Sequence, residues 1–366
     1  MTRKVKNSDL FQKLMIEKRL SISSSAQLDN LPLQVSPIAG SRLRGMLLGL
    51  AIGDALGNTS ESLIPAKRLK LRGEIRDYLG NWHASGRSVG LPSDDTQMTF
   101  WTIESILECG GVNPTDLAEK FSTRQIYGRG QSVGEFVRNY QQGMDWPEAS
   151  SRSAGNGALM RIAAVFASQK RGLSEELWSD TVLCAAVTHN DAASISACVA
   201  FVGILHELVN MDVAPDPKWW VERYTAYATS IEGQSTYTPR GGEYAGKFSG
   251  TLSEFVKLSV LEALEQNLSA LDACNKWFSG AYLMETVPSV LMILAKHAQD
   301  PEEAIVRAVN DTKDNDTIAA IVGAAVGALH GEEALPDRWI DGLLGRTAQD
   351  DDGRVFELLD ALVAEA

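Results

Sequence analysis

Two short acidic runs, more than two hundred residues apart, hold the residue types best suited to chemistry: Ser93-Asp94-Asp95-Thr96 and Asp314-Asn315-Asp316-Thr317. Each puts two carboxylates and a hydroxyl within four positions, just before an apolar stretch with helical spacing. Hard oxygen ligands clustered this way suit Mg2+, Ca2+ or Mn2+. Taken alone, each run also reads as a helix start, with Ser93 as N-cap and Asp94 and Asp95 favoured by the helix dipole. Taken together, the two runs could cage a pair of divalent ions with four carboxylates and at least two hydroxyls. No Ser/His/Asp or Cys/His set can be placed, so a water activated by metal is the expected nucleophile.

Further positions surround these runs. Glu61 follows a glycine-faced helix in GDALGNTSES and could orient water or substrate there. Asp54 lies among the apolar residues of that helix and reads as a buried, hydrogen-bonded structural residue. Tyr127-Gly128-Arg129-Gly130-Gln131-Ser132 allows close backbone approach and offers N–H groups to a phosphate. Asn156 to Arg161, NGALMR, is a Gly-bracketed turn opening a helix, and it serves equally as an anion contact or an ordinary helix entry. His189, in THND, suits a structural role or a catalytic one.

Helices must position all of this. Apolar residues recur at three- and four-residue spacing through 43–57, 97–108, 158–168, 176–187, 192–209, 252–266, 285–297, 302–309 and 318–330, and alternating strand patterns are scarce. Gly45, Gly49, Gly53 and Gly57 fall on one helix face, and Gly323 and Gly327 repeat the pattern. Such smooth faces predict a close helix pair, which would carry Glu61 to the Asp314–Thr317 run. Residues 233–250 are Gly-rich and aromatic and read as a long surface loop. Residues 1–40 form a separate arm with six basic and three acidic residues. Leu10, Phe11, Leu14, Met15 and Leu20 mark a short amphipathic helix in it, followed by a polar tether with Pro32 and Pro37. A body domain spans 41–366.

The chain has 366 residues, 44% of them hydrophobic, enough for a large core. Its net charge of −13 argues against a general nucleic-acid binder, which needs a basic face. The four cysteines form no CxxC pair and read as small core residues in a reducing compartment. The basic start lacks an apolar signal segment, and no apolar run reaches the ~18 residues of a membrane span. A soluble, cytoplasmic protein is expected.

The ordered blocks RGMLLGLAIGDALGNTSE, SDDTQMT, YGRGQS, GNGALMRIAAV, THND, GAYLMETVPSVL and AVNDTKDNDTIAAIVGAAVGALHG resemble the ADP-ribosylglycohydrolase family over roughly residues 41–331. The resemblance implies a compact all-α, multi-helix bundle with a central cleft holding two Mg2+ ions, or Mn2+. It implies metal ligation by Ser93, Asp94, Asp95, Asp314, Asp316 and Thr317, with Glu61, Asp94 or Asp95 acting on water. Gly128, Gly130 and Ser132 would lie along the ADP-ribose, Asn156, Gly157 and Met160 near the distal ribose and phosphates, and His189 at the adenosine side. The implied reaction releases ADP-ribose from a modified protein side chain, arginine foremost. Thr312-Lys313 depart from the two glycines usual before the second acidic block, which touches substrate preference more than metal binding.

The arm resembles extensions on immunity proteins that block ADP-ribosyltransferase toxins. A toxin partner held through residues 1–40 is therefore expected, alongside ADP-ribosylated protein as substrate. The alternatives are an arm folded back on its own acidic body, and a binding protein in which the arm, not hydrolysis, has the main function.

Overall fold

The computed structural model describes residues 6–23, 28, 31, 38–61, 63–169 and 176–364. Among them every regular element is helical, and the extended contacts are isolated bridges such as Ser151 with His189. In chain order the first α-helices are α1 (Asn7–Ile16), α2 (Gly40–Gly57), α3 (Pro65–Arg72), α4 (Asp94–Cys109), α5 (Pro114–Thr123), α6 (Gln131–Gln141), α7 (Trp146–Ala149), α8 (Glu176–Ala186) and α9 (Ala192–Leu208). They continue as α10 (Pro217–Glu232), α11 (Leu252–Glu265), α12 (Ala270–Trp277), α13 (Leu283–His297), α14 (Pro301–Asp311), α15 (Asn315–His330), α16 (Asp337–Gly342) and α17 (Arg354–Ala364). Several begin with one device, a capping side chain followed by proline: Asn113-Pro114, Asp216-Pro217 and Asp300-Pro301. Proline's missing N–H costs nothing at the first helical position.

At the centre α2 and α15 lie backbone to backbone. A Cβ on Gly49 or Gly53 would strike the carbonyl of Gly323 or Ala319, and one on Gly323 or Gly327 would strike the carbonyl of Gly49 or Gly45. Each helical glycine costs about 1 kcal/mol relative to alanine. That cost is offset here by packing no larger residue permits. Residues 315–329 of α15 are all buried, so the pair runs through the core. The end made by the C-terminus of α2 and the N-terminus of α15 carries Glu61 and the second acidic run.

The segment expected as α-helix over 158–168 is instead a 3-10 helix, Leu159–Gln169. Leu159, Ile162 and Val165 recur every third residue, the period at which a 3-10 helix stacks side chains on one edge. The 233–250 segment is the expected irregular loop, pinned by the Tyr237–Gly250 bridge.

The described part of the arm lies on the body. α1 buries Phe11 and Leu14 and packs on α8, where Asn7 Nδ2 donates to Asp180 Oδ1 at 2.5 Å and Ser8 donates to Glu176. Arg19 reaches Asp145 and Glu148, and Ser21 N donates to Asn190 Oδ1 at 2.8 Å while Asn190 Nδ2 returns a bond to Arg19 O. The tether expected around Pro32 and Pro37 falls largely outside the described residues. No described helix is long and apolar enough to cross a membrane.

Candidate metal centre

The two acidic runs meet. Carboxylate oxygens of Asp54, Asp95 and Asp316 lie within 4.8 Å of one another, as do those of Glu61, Asp314 and Asp316. Thr317 Oγ1 donates to Asp95 Oδ2 at 3.4 Å, joining runs 222 residues apart. The glycine-faced pair does the positioning: a Cβ on Gly57 would lie 2.5 Å from Asp316 Cα, so α2 delivers Glu61 directly beside the start of α15. Asn315 reinforces this, its Nδ2 donating to Gly57 O and Ser60 Oγ, each at 3.1 Å.

Ser93 occupies the N-cap position of α4, but its side chain does not cap the helix. Asp54 does so from α2. It accepts from Ser93 N at 2.9 Å, Ser93 Oγ at 2.7 Å, Thr96 N at 3.1 Å, Thr96 Oγ1 at 2.5 Å and Asn58 Nδ2 at 3.1 Å. With the first turn capped by a separate residue, Asp94 and Asp95 are free to face the cleft. Asp54 is thus the buried structural carboxylate its setting suggested, and it also borders the acidic group. Five donors occupy both of its oxygens, whereas Asp95 Oδ1 is buried with no hydrogen-bond partner.

Burial pushes the carboxyls of Asp94, Asp95 and Asp316 well above their ordinary range, and neighbouring acids push them further, Asp54 most for Asp94 and Asp95 and Asp314 for Asp316. Asp314 is pushed up to about 6 by burial, against the pull of a hydrogen bond from Asn156. Glu61 sits at the mouth, open to solvent on one side and raised by desolvation on the other, with Asp54 adding repulsion. Buried like charges this close need a cation or protons. The unpartnered Asp95 oxygen, the all-oxygen donor set and the two overlapping groups fit one or two hard divalent ions.

The glycine loops close around the same place. Gly128, at φ 75°, lies against Asp94, where a Cβ would be 3.2 Å from Asp94 Oδ1. Gly130 is the N-cap of α6 and Ser132 lies in its first turn. Asn156 Nδ2 donates to Asp314 Oδ2 at 2.6 Å and to Thr286 Oγ1 at 3.0 Å, so this amide orients an acid of the cleft. Gly157 abuts the ring of His189, 2.8 Å from Cε1 to an added Cβ, and Gly155 lies between His189 and Ser132. Met160 is buried behind the turn.

His189 is kept neutral: burial and the nearby Arg161 lower it to about 3. Thr188 Oγ1 accepts from Arg161 Nη2 at 2.8 Å and sits 3.0 Å from His189 Nδ1. Arginine only donates, so Thr188 accepts there, and its hydroxyl couples Arg161 to the neutral imidazole, whose Nε2 lies toward Gly155.

The structure thus brings Glu61, Asp95, Asp314, Asp316 and Thr317 together, with Gly128 against Asp94 and Asn156 on Asp314, while Gly157 and Ser132 lie around His189 and Gly155, and Gly130 and Met160 make no contact with the acidic group. Two residues around it were not singled out. Arg68 is the buried cation of α3, with no motif to reveal it. Glu285, in GAYLMETVPSVL, is buried beside Lys313, Arg240 and Asp314, and burial raises it to about 7. Its acidity in an apolar block was the available signal. Lys313, at the departure before the second run, has its Nζ 4.0 Å above the Phe278 ring.

The chain is similar to several known proteins. The chain is 24% identical over 317 residues to the ADP-ribosylarginine hydrolase Tri1 of Pseudomonas putida, covering 82% of this chain and 73% of the relative. It is 25% identical over 313 residues to the ADP-ribosyl-[dinitrogen reductase] glycohydrolase of Rhodospirillum rubrum, covering 84% and 92%. A solved structure titled ADP-ribosylglycohydrolase-related protein complex superposes with a TM-score of 0.62 at 24% identity, over 89% of this chain and 98% of that one, and shows the same fold. The ADP-ribosylglycohydrolase family itself matches residues 36–366, the whole of the body with both acidic runs, and to that family the chain belongs.

Proposed function

We infer that this protein hydrolyses the glycosidic bond between ADP-ribose and a protein side chain, with arginine the first acceptor to test. One observation carries the reading: Asp95 of the first acidic run meets Asp316 of the second, Asp316 in turn meets Glu61 and Asp314, and Gly128 lies against Asp94 beside them. The family is metal-dependent, and the cleft has acidic groups able to hold a cation. The Pseudomonas putida relative, named for ADP-ribosylarginine, supports arginine.

Ser93, Asp94, Asp95, Asp314, Asp316 and Thr317 would hold two divalent ions, Mg2+ or Mn2+. Bound there, the ions would supply Lewis-acid polarisation and a positive centre for the vicinal hydroxyls of the distal ribose. Glu61, raised and half open to solvent, is placed to take a proton from the attacking water, with Asp94 and Asp95 as the other candidates within the cleft. The Gly128–Ser132 turn, with Gly128 against Asp94, would lie along the ADP-ribose and offer N–H groups to its pyrophosphate. Asn156, Gly157 and Met160 would lie near the distal ribose and phosphates and the neutral His189 at the adenosine side, Gly155 and Gly157 leaving room for its ring. Asn156 holds Asp314 in register. The test is incubation with ADP-ribosylated arginine and serine peptides, with and without Mg2+ or Mn2+. Ion-dependent release from arginine is expected, and absence of release from every substrate overturns the reading.

A second reading makes residues 1–40 a block for an ADP-ribosyltransferase toxin, with the hydrolase as an immunity protein. The basic surplus of the arm favours it, and so does a family match that begins only at residue 36. The burial of Phe11 and Leu14 weighs against it, because the arm would have to leave α8 first. Equal toxin affinity of the full chain and of residues 41–366 would end this reading.

A further inference from the structure

We propose that Arg68 is the positioning residue that fixes the spacing between the two halves of the Glu61/Asp314/Asp316 group. This rests on the reading of that group as a cation site. The group is assembled from two turns, one carrying Glu61 after α2 and one carrying Asp314 before α15. Arg68 grips both from outside the group, whereas Asn315 reaches from the second turn to Gly57 O and Ser60 Oγ on the first. From the first turn its Nε donates to Ser60 Oγ at 3.0 Å, and its Nη2 donates to Leu63 O at 2.8 Å and Ser60 O at 3.3 Å. On the second, its Nη1 donates to Thr312 O at 2.7 Å and Asn310 O at 3.4 Å, and Nη2 reaches Lys313 O at 3.5 Å. Ser60 directly precedes Glu61, and Lys313 directly precedes Asp314.

α3 is built around this contact. It is eight residues long, starts at Pro65 and stops at Gly73 with φ 71°. Arg68 is its one buried residue, whereas Leu69 and Leu71 are exposed. A short helix that turns its leucines to solvent and its arginine inward is not held by apolar burial. The planar fork explains the choice: five N–H donors at fixed angles can satisfy carbonyls on two turns at once, which one ammonium cannot. The acceptors are mainly carbonyls, so no carboxylate neutralises the cation directly. Its field falls instead on Asp316 and Asp311, while desolvation draws the guanidinium itself down to about 10.

The experiment uses the full chain with Arg68→Lys, Arg68→Met and Ser60→Ala. Mn2+ binding is followed without substrate, by titration calorimetry and by the electron paramagnetic resonance signature of coupled ions, beside thermal melting and turnover on ADP-ribosylarginine. Arg68→Lys is expected to fold, to weaken one of two Mn2+ ions by roughly 10- to 100-fold, the range for residues behind metal ligands, and to lose the coupled signal. Ser60→Ala should fall between wild type and Arg68→Lys, because it removes one link of the clamp. Wild-type affinity and spectrum in both Arg68→Lys and Ser60→Ala overturn the proposal, whether or not Arg68→Met folds. Loss of binding only in proportion to unfolded protein also overturns it. A wild-type protein that binds no Mn2+ overturns the metal reading itself, a result recognisable before any variant is made.

Discussion

Gly57 lies against Asp316 so closely that a methyl group on it would come within 2.5 Å of the Asp316 Cα. The helix-packing surface and the candidate metal centre therefore share one contact, and a glycine is needed there for both. Gly57→Ala should push Asp316 away from Asp95 and lower Mn2+ affinity more than stability. Gly53→Ala, one turn deeper against Ala319, should act on stability alone, by about 1–3 kcal/mol as for other overpacked cores. Urea unfolding and Mn2+ titration of both variants separate the effects. Unchanged Mn2+ affinity in Gly57→Ala would dissociate the glycine seam from the site.

Asp95 offers a sharper test. One of its oxygens is buried without a partner, and burial and its acidic neighbours disfavour its charge. Asp95→Asn removes that charge while keeping the shape. The metal-free variant should be as stable as wild type or more so, yet gain little from added Mn2+ and release ADP-ribose at least about 100-fold more slowly. If melting temperature, Mn2+ response and turnover all match wild type, Asp95 lies outside the machinery.

The long-range plan was legible in the sequence because glycines and acids are hard to explain otherwise. Gly45, Gly49, Gly53 and Gly57 cost helix stability, so their four-residue repeat pointed to a close partner, and Gly323 and Gly327 supplied it. From that pairing the meeting of Glu61 with Asp314–Thr317 followed. The capping of α4 was not legible: Ser93 has the right type and place, but Asp54, 39 residues earlier, takes the donors. Arg68 was silent because an arginine in PAKRLKLR looks like a solvated face. Its inward turn depends on carbonyls 242 to 245 residues away, which no local pattern encodes.

The acidic cluster also fixes the sign of a pH effect. Asp314 is raised to about 6 in the folded protein, above the usual aspartate range. Between the ordinary value and about 6 the native state binds more protons than the unfolded chain, so metal-free stability is fully present at low pH and is lost as pH rises through 6. Divalent ions compete with those protons and should bind progressively better over the same rise. Melting temperatures from pH 5 to 8 should thus diverge, falling for the metal-free protein and rising relative to it with Mn2+. Asp314→Asn should flatten the metal-free curve. A metal-free wild type that gains stability across this window contradicts the assignment.

The arm can be tested by the same energetics. Arg19 pairs with Asp145 and Glu148, whose side chains are 65% and 47% exposed, so Arg19→Ala should cost less than about 1 kcal/mol. Phe11 and Leu14 are 4% and 2% exposed against the body, so Phe11→Ala and Leu14→Ala should each cost about 2–5 kcal/mol in urea unfolding. A loss of that size means that any partner capturing the arm must first offset its docking on α8. Such capture would also break the exchange between Ser21, Arg19 and Asn190, the residue after His189. Near-zero losses for both apolar variants would instead describe an arm free in solution, and the reading of residues 1–40 as a toxin-blocking segment would gain accordingly.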